Sequence, residues 1–351
     1  MSTFFSGALK NLAPYTPGEQ PQDQQYVKLN TNESPYPPSA GVITALNAKE
    51  VSDLRLYSDP ECKELKKALA DYYKVEPENI YVGNGSDEAL NFAFLSYATD
   101  GRGVAFADIT YGFYPVFADL YHIPVQIVPL KSDFSIAPED YYGLNKTIVI
   151  ANPNAPTGMA LSRDAIEDIV KANPDSVVVV DEAYVDFGAE SCVELTKTYP
   201  NLLVVQTYSK SRSMAGARLG YAIGNAELIR DLETVKFSTN PYNVNRLTLR
   251  AGVQAIAEQD YYTENCKKIM ATRAYTKEKL EKLGFTVLDS RSNFLFARKP
   301  GTDGGAIYRG LKERGVLVRH FDKDPIRDYN RITIGTQEQM DIFLTKLEEL
   351  L

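Results

Sequence analysis

The chain has 351 residues, 44% hydrophobic and 24% charged, a balance that suits a globular protein with one large and one smaller core. Its formal net charge of −8 argues against a nucleic-acid or anionic-membrane surface, so an anionic ligand must be held by a few local cations or by backbone amides. Cys62, Cys192 and Cys266 are odd in number and far apart, and His122 and His320 fall in no ligand pattern; with no leader-like or membrane-spanning apolar run, a cytoplasmic protein without disulfides or a metal site is expected.

Residues 1–40 are rich in Pro, Gln, Asn and Ser and read as an extended arm that joins a small domain, with Val27 to Asn30 as a short strand. Cys62 to Tyr73 has helical apolar spacing at Leu65, Leu69 and Tyr72. A short strand over Asn79–Val82 precedes a helix from Ser86, its expected N-cap, to Tyr97. Strands are then expected at Gly103–Ala107, Pro124–Val128, Thr147–Ala151, Val177–Val180, Leu202–Thr207 and Leu219–Ile223, with helices such as Arg163–Ala172 between them. Several of these strands are continuous apolar runs, the pattern of strands buried on both faces. The expected fold is α/β: a mostly parallel, doubly wound sheet over residues 41–245. After it, residues 246–351 read as a smaller α+β domain that opens with one long helical stretch, Asn245 to Leu283.

In open α/β sheets, ligands sit beyond the carboxyl ends of the strands. Four expected strands end in polar clusters there: Gly83 to Glu88, Asn152 to Gly158, Asp181 to Tyr184, and Tyr208 to Ser213 with Gly216-Ala217-Arg218 after it. Each has a plain reading as a turn, a helix cap or a solvated surface. Together they suggest one chemistry. A strand-end lysine, Lys210, can form a Schiff base with an aldehyde. A carboxylate such as Asp181 can hold a pyridinium nitrogen protonated, and Tyr184 can donate to a ring oxygen. A phosphate would find the amides near Gly85–Asp87, the hydroxyls of Thr207 and Ser209, and the Arg218 guanidinium. Tyr111, just past the Gly103–Ala107 strand, could stack on the ring.

Tyr208-Ser209-Lys210-Ser211 with Arg218, Asp181-x-x-Tyr184 and the Asn152-Pro153-Asn154-Ala155-Pro156-Thr157-Gly158 stretch resemble the fold-type I aminotransferases, which use pyridoxal 5'-phosphate. Within them the chain is most similar to the histidinol-phosphate aminotransferase family. That resemblance also rests on residues 28–36, Tyr57-Ser58-Asp59-Pro60, residues 181–187, residues 241–245, Gly315 to Arg319 and Arg331 to Gly335, and so spans nearly the whole chain. It implies that Lys210 carries the cofactor and shuttles the proton, that Asp181 pairs with the pyridine nitrogen and that Tyr184 pairs with the ring oxygen. Ser86, Asp87, Thr207, Ser209 and Arg218 would hold the cofactor phosphate. Tyr57 would reach that phosphate from the neighbouring subunit of a homodimer. Arg331 would bind the α-carboxylate of glutamate, and Arg319, Arg331, Tyr15 and Asn32 would face the phosphate of histidinol phosphate. The implied reaction exchanges an amino group between histidinol phosphate and 2-oxoglutarate.

One position departs from the family pattern. The residue before Pro-Thr-Gly is usually an Asn that bonds the ring oxygen; here it is Ala155, with Asn154 one residue earlier. Either Asn154 takes that role after a small backbone adjustment, or Tyr184 carries it alone; the first is the expectation tested below. An aromatic or other amino-acid aminotransferase and a threonine-phosphate decarboxylase share the core motifs and stand as alternatives. A nucleotide-binding dehydrogenase or a non-catalytic binding module on the same sheet is the reading from another class.

Overall fold

The computed structural model describes residues 4–351. In the arm, β1 (Val27–Lys28) pairs in parallel with a strand near the C-terminus, Val27 opposite Val316 and Lys28 opposite Leu317. The large sheet contains β2 (Ile80–Gly83), β3 (Val104–Ala107), β4 (Val125–Val128), β5 (Thr147–Ala151), β6 (Val178–Asp181), β7 (Leu202–Thr207) and β8 (Gly220–Gly224). Their spatial order is β2-β8-β7-β6-β5-β3-β4. All neighbours are parallel except around β8, which runs antiparallel to both β2 and β7.

The apolar runs are continuous because alternate residues enter two separate cores. Ile148 and Ile150, Val178 and Val180, and Leu202 and Val204 pack on one face. Val149 and Ala151, Val179, and Leu203 and Val205 pack on the other. A strand covered by helices on both sides has no solvent face on which to place polar residues. Only β4, at the sheet edge, exposes Val125 and Ile127.

The smaller unit is built on four antiparallel strands in the order β12-β13-β10-β9: β9 (Thr286–Val287), β10 (Phe294–Arg298), β12 (Arg319–His320) and β13 (Asn330–Thr333). The partner of β1 is β11 (Val316–Leu317). The helices Gly304–Glu313 and Gln337–Glu348 cover this sheet, with Leu29 of the arm and Leu311, Met340 and Phe343 in the core.

Three sequence expectations need correction. The helical stretch from Asn245 to Leu283 is two helices, Arg246–Ala257 and Gln259–Lys282, broken at Glu258 (φ −107°, ψ 36°). The Glu258 carboxylate accepts the Gly41 amide there (3.1 Å), a long-range contact that local periodicity does not encode. Val244, Ala251, Ala255 and Tyr262 pack in the core of the large sheet, whereas Cys266, Ile269 and Leu280 pack in the small one. The cores therefore part inside the Gln259–Lys282 helix and not at 245/246. Lastly, the helix expected to start at an N-cap Ser86 begins at Gly85, with Asn84 in the cap position, so Ser86 lies inside its first turn.

Candidate active site

The polar strand ends converge on one cavity of about 580 Å³, between the carboxyl edge of the large sheet and the small unit. Of the residues singled out in the sequence, Tyr15, Asn32, Ser86, Asp87, Tyr111, Asp181, Tyr184, Thr207, Ser209, Lys210, Arg218, Arg319 and Arg331 line it. Asn154 and Tyr57 do not.

The topology explains why residues so far apart meet. β6 and β7 end at Asp181 and Thr207, and the chain then turns directly into Ala183–Tyr184 and Ser209–Lys210. β8 runs the opposite way, so it starts where its neighbours end. Arg218 precedes it and arrives at the same edge, and Gly220 lies opposite both Thr207 and Gly83. That crossing brings the start of the Gly85–Tyr97 helix against β8. Gly85 has φ +77°, and a Cβ on it would meet Arg218 Nη2 at 2.6 Å, so glycine is the residue that fits.

This corner is a cradle for an anion. The first-turn amides of a helix have no intrahelical acceptor, and the helix dipole adds positive potential there. Arg218 Nη2 donates to Asp87 Oδ2 (2.9 Å) and Arg218 Nη1 to Ser209 Oγ (3.4 Å). Thr207 Oγ1 donates to Ser209 Oγ (3.0 Å). The other Asp87 oxygen accepts the Tyr111 hydroxyl (2.8 Å), so the Asp87 carboxylate fixes a guanidinium and an aromatic ring together. Glu88 turns back to accept the Asn84 amide (2.8 Å) and the Tyr81 hydroxyl (3.0 Å), which leaves the helix entrance clear.

Deeper in the cavity, the Asp181 carboxylate is buried. Oδ2 accepts the Tyr114 hydroxyl (2.8 Å) and Oδ1 the Ala183 amide (3.2 Å). Burial pushes its pKa up to about 6 despite these two donors. Lys210 Nζ lies 3.4 Å from the Thr31 carbonyl oxygen and 5.7 Å from the centre of the Tyr184 ring. The Tyr184 hydroxyl accepts from Asn32 Nδ2 (3.0 Å), and Asn32 (φ +55°) is held by Thr333 and Asn293. A basic pocket, a buried carboxylate and the Lys210 Nζ thus surround one space.

The small unit supplies the opposite wall. Arg319 and Arg331 are directly opposed in the β12–β13 ladder. Arg331 donates to the Asn30 carbonyl (3.0 Å) and packs over the rings of Phe294 and Phe321 (5.4 and 5.8 Å), while its Nε is buried without a partner. Burial lowers its pKa from the usual arginine value. Arg319 donates to the Pro17 and Thr16 carbonyls (3.1 and 3.0 Å), so it pins the arm across the cavity mouth. Tyr15, on that segment, stacks on Phe113 at 4.5 Å; its pKa is raised by burial, against the pull of Arg331 and Arg319.

Asn154 is not available to a ligand. Its amide donates to the Ile109 carbonyl (2.9 Å) and to Thr157 Oγ1 (3.1 Å), and its carbonyl accepts the Thr110 hydroxyl (2.8 Å). It ties the 152–158 turn to the loop that carries Tyr111, and Ala155 faces the cavity in its place. The expectation that Asn154 substitutes for the usual Asn is thereby corrected. Tyr57 is 78% exposed and stacks on Tyr242 (4.4 Å), away from this chain's cavity. The sequence reading missed Tyr114, Thr31, Phe321 and Lys323. Tyr114 had a legible signal, being three residues past Tyr111 in the first turn of the Phe113–Leu120 helix.

The family description "Aminotransferase class I and II" matches residues 24–347, and the chain belongs to that family. It is a pyridoxal-phosphate-dependent aminotransferase. Among curated proteins it is 50% identical to a histidinol-phosphate aminotransferase of Brachyspira hyodysenteriae (strain ATCC 49526 / WA1), over 100% of this chain and 99% of that one. It is 53% identical to one of Marinomonas sp. (strain MWYL1), over 100% of both. Among solved structures it superposes with TM-score 0.83 and 26% identity on a histidinol-phosphate aminotransferase of Sinorhizobium meliloti, in complex with pyridoxal-5'-phosphate, covering 92% of this chain and 90% of that one. Within its class the chain belongs with the histidinol-phosphate aminotransferases. Among the described residues, no helix is long and apolar enough to cross a membrane.

Proposed function

We propose that the chain moves an amino group between histidinol phosphate and 2-oxoglutarate, giving imidazole acetol phosphate and glutamate, as a cytoplasmic homodimer in histidine biosynthesis. One observation carries the substrate reading: two arginines face each other across a β-ladder, one of them with a buried, unpartnered Nε, on the wall opposite Lys210. Like charges directly opposed destabilise a sheet. Their retention fits an anionic group as the missing partner, and a planar guanidinium pairs with a carboxylate as well as with a phosphate. One pocket can thus accept glutamate in one half-reaction and a phosphate ester in the other.

The residues fit the cofactor. Gly85 leaves room for an anion beside Arg218, and the Asp181 carboxylate has acceptor capacity left on the cavity side. Ser86, Asp87 (through its amide), Thr207, Ser209 and Arg218 would hold the phosphate, and Tyr111 would lie against the ring. Asp181 would pair with the ring nitrogen and Tyr184, without help from Asn154, with the ring oxygen. When bound, pyridoxal phosphate supplies an aldehyde carbon for condensation with amines and a cationic ring that delocalises the electron pair left at Cα. Lys210 Nζ would take the Cα proton and return it on the other side of the exchange. Tyr15 and the Thr16–Pro17 backbone, held by Arg319, would keep water from the cavity. Tyr57, exposed beside Tyr242, is placed to serve a second copy's site.

The test is a comparison of amino donors with the purified holoenzyme. Histidinol phosphate with 2-oxoglutarate should exceed histidinol, which lacks the phosphate, by at least about a hundredfold in kcat/KM, because an unfilled cationic site penalises a substrate without the anion. Arg331→Ala should lower both half-reactions by about tenfold to a hundredfold, the usual effect of deleting a charge-assisted pair. Equal turnover of phenylalanine, or release of CO2 from threonine phosphate, would overturn the substrate assignment.

A further inference from the structure

The floor of the cavity contains a contact that the cofactor roles above leave unused. Tyr114 is 0% exposed, and its hydroxyl donates to Asp181 Oδ2 at 2.8 Å, its one hydrogen-bond partner among the described residues. Its ring is wedged between Phe94 and Phe106 (centroids 6.1 and 5.8 Å) and meets Tyr111 edge-on at 5.6 Å and 87°. For packing alone, phenylalanine would fill the same space, and a buried hydroxyl carries a desolvation penalty unless it is bonded. The position of the hydroxyl therefore calls for an account beyond core filling.

We propose that Tyr114 is a positioning residue whose hydroxyl keeps the Asp181 carboxylate ionised and aimed at the ring nitrogen of the cofactor. This rests on the reading that Asp181 pairs with that nitrogen. A single proton lies between the two groups, either on the nitrogen, which makes the ring a cation, or on the carboxylate, which leaves the ring neutral. Donors to the carboxylate favour the first arrangement. The groups that act on Asp181 are few. Burial and the negative Asp87 push its proton affinity up; the Tyr114 hydroxyl, the Ala183 amide and the Lys210 ammonium push it down. Of these, Lys210 is consumed when it bonds to the cofactor, and the Ala183 amide is the longer contact at 3.2 Å. The phenol remains a donor throughout, because burial and the adjacent Asp181 raise its own pKa well above that of a free tyrosine. Tyr111 and Tyr184, the other phenols near it, act in the same direction on Tyr114.

The experiment compares apoprotein binding of pyridoxal phosphate with binding of its 1-deaza analogue, in which C–H replaces the ring nitrogen, from pH 5.5 to 9 by absorbance. Both ligands carry the same phosphate, so its titration cancels. Tyr114→Phe should weaken the natural cofactor about tenfold and move the pH midpoint of its binding up by roughly one unit, while the analogue changes less than about twofold. Equal weakening of both ligands would reduce Tyr114 to packing and overturn the proposal. Asp181→Asn reads the parent assignment separately: if it fails to discriminate the ligands, the pairing of Asp181 with the nitrogen is wrong. If it discriminates and Tyr114→Phe does not, the role of Tyr114 alone fails. Should Tyr114→Phe not fold, 3-fluorotyrosine at position 114 keeps the shape and donates more strongly; it should lower the midpoint, and an unmoved midpoint refutes the role.

Discussion

Gly220→Ala tests the geometry on which the phosphate cradle depends. A Cβ at Gly220 would lie 2.2 Å from the Ser86 nitrogen, 2.4 Å from the Gly85 carbonyl carbon and 2.8 Å from the Gly85 oxygen, where ordinary contact begins near 3.4 Å. All three atoms are backbone, so no rotamer change relieves the clash. β8 and the start of the Gly85–Tyr97 helix must separate by about 1.2 Å. Overpacking of this kind destabilises by about 1–3 kcal/mol, or a fall of roughly 1–4 °C in melting temperature for a chain of this size. Displacing a binding group by about 1 Å can reduce its effect by about a hundredfold, equivalent to about 2.7 kcal/mol, so cofactor affinity should fall together with stability. Equilibrium binding of pyridoxal phosphate and a melting curve of the apoprotein measure the two. Gly7→Ala is the control, since a methyl there meets nothing within 4 Å and Gly7 does not line the cavity. If Gly220→Ala binds the cofactor like the control, the helix start is not the phosphate site and the argument fails.

Lys210→Ala should abolish transamination, and its absorbance spectrum should lack the visible-edge band of cofactor bonded to lysine; wild-type turnover refutes the assignment. Cofactor-free protein should lose stability as the pH rises from about 4 to 6. There the folded chain still holds the Asp181 proton, at a pKa of about 6, which the unfolded chain has released near 3.8. The folded state binds more protons in that window, so stability falls with pH, by roughly 3 kcal/mol in full. Glu182, buried and pushed up to about 7, adds the same sign at higher pH. Denaturant midpoints at pH 4.5 and 7.5 measure this, and an Asp181→Asn profile identical to wild type would show that Asp181 is not its source. Finally, mixing Lys210→Ala with Tyr57→Ala subunits under exchange should raise activity above the mean of the two, because one site of each mixed dimer then has both residues intact. No gain would place Tyr57 outside the partner's site.

The residues proposed to do the chemistry stand out in the sequence because that chemistry constrains type and spacing locally. Asp181 and Lys210 follow apolar strands within a few residues, Arg218 stands just before one, and a strand buried on both faces announces itself as an unbroken apolar run. The alternation of two cores along β5, β6 and β7 is the structural reason that this signal is so strong. Local pattern also located every strand of the large sheet to within about a residue at each end.

What local pattern left open was decided by partners far away in the chain. Asn154 carries the same letter as a ligand-binding asparagine, yet Ile109 and Thr110, more than forty positions earlier, occupy its amide. At the helix break, Glu258 bonds to Gly41, a partner far away in the chain. Tyr114 becomes more than a core aromatic only because β6 ends beside it, and Arg319 faces Arg331 only through strand register. Sequence determines which groups a segment offers. Side-chain amides, hydroxyls and guanidiniums bond at about 3 Å with strict direction, so which of them are already taken, and which still face the cavity, is settled only when the distant segments pack.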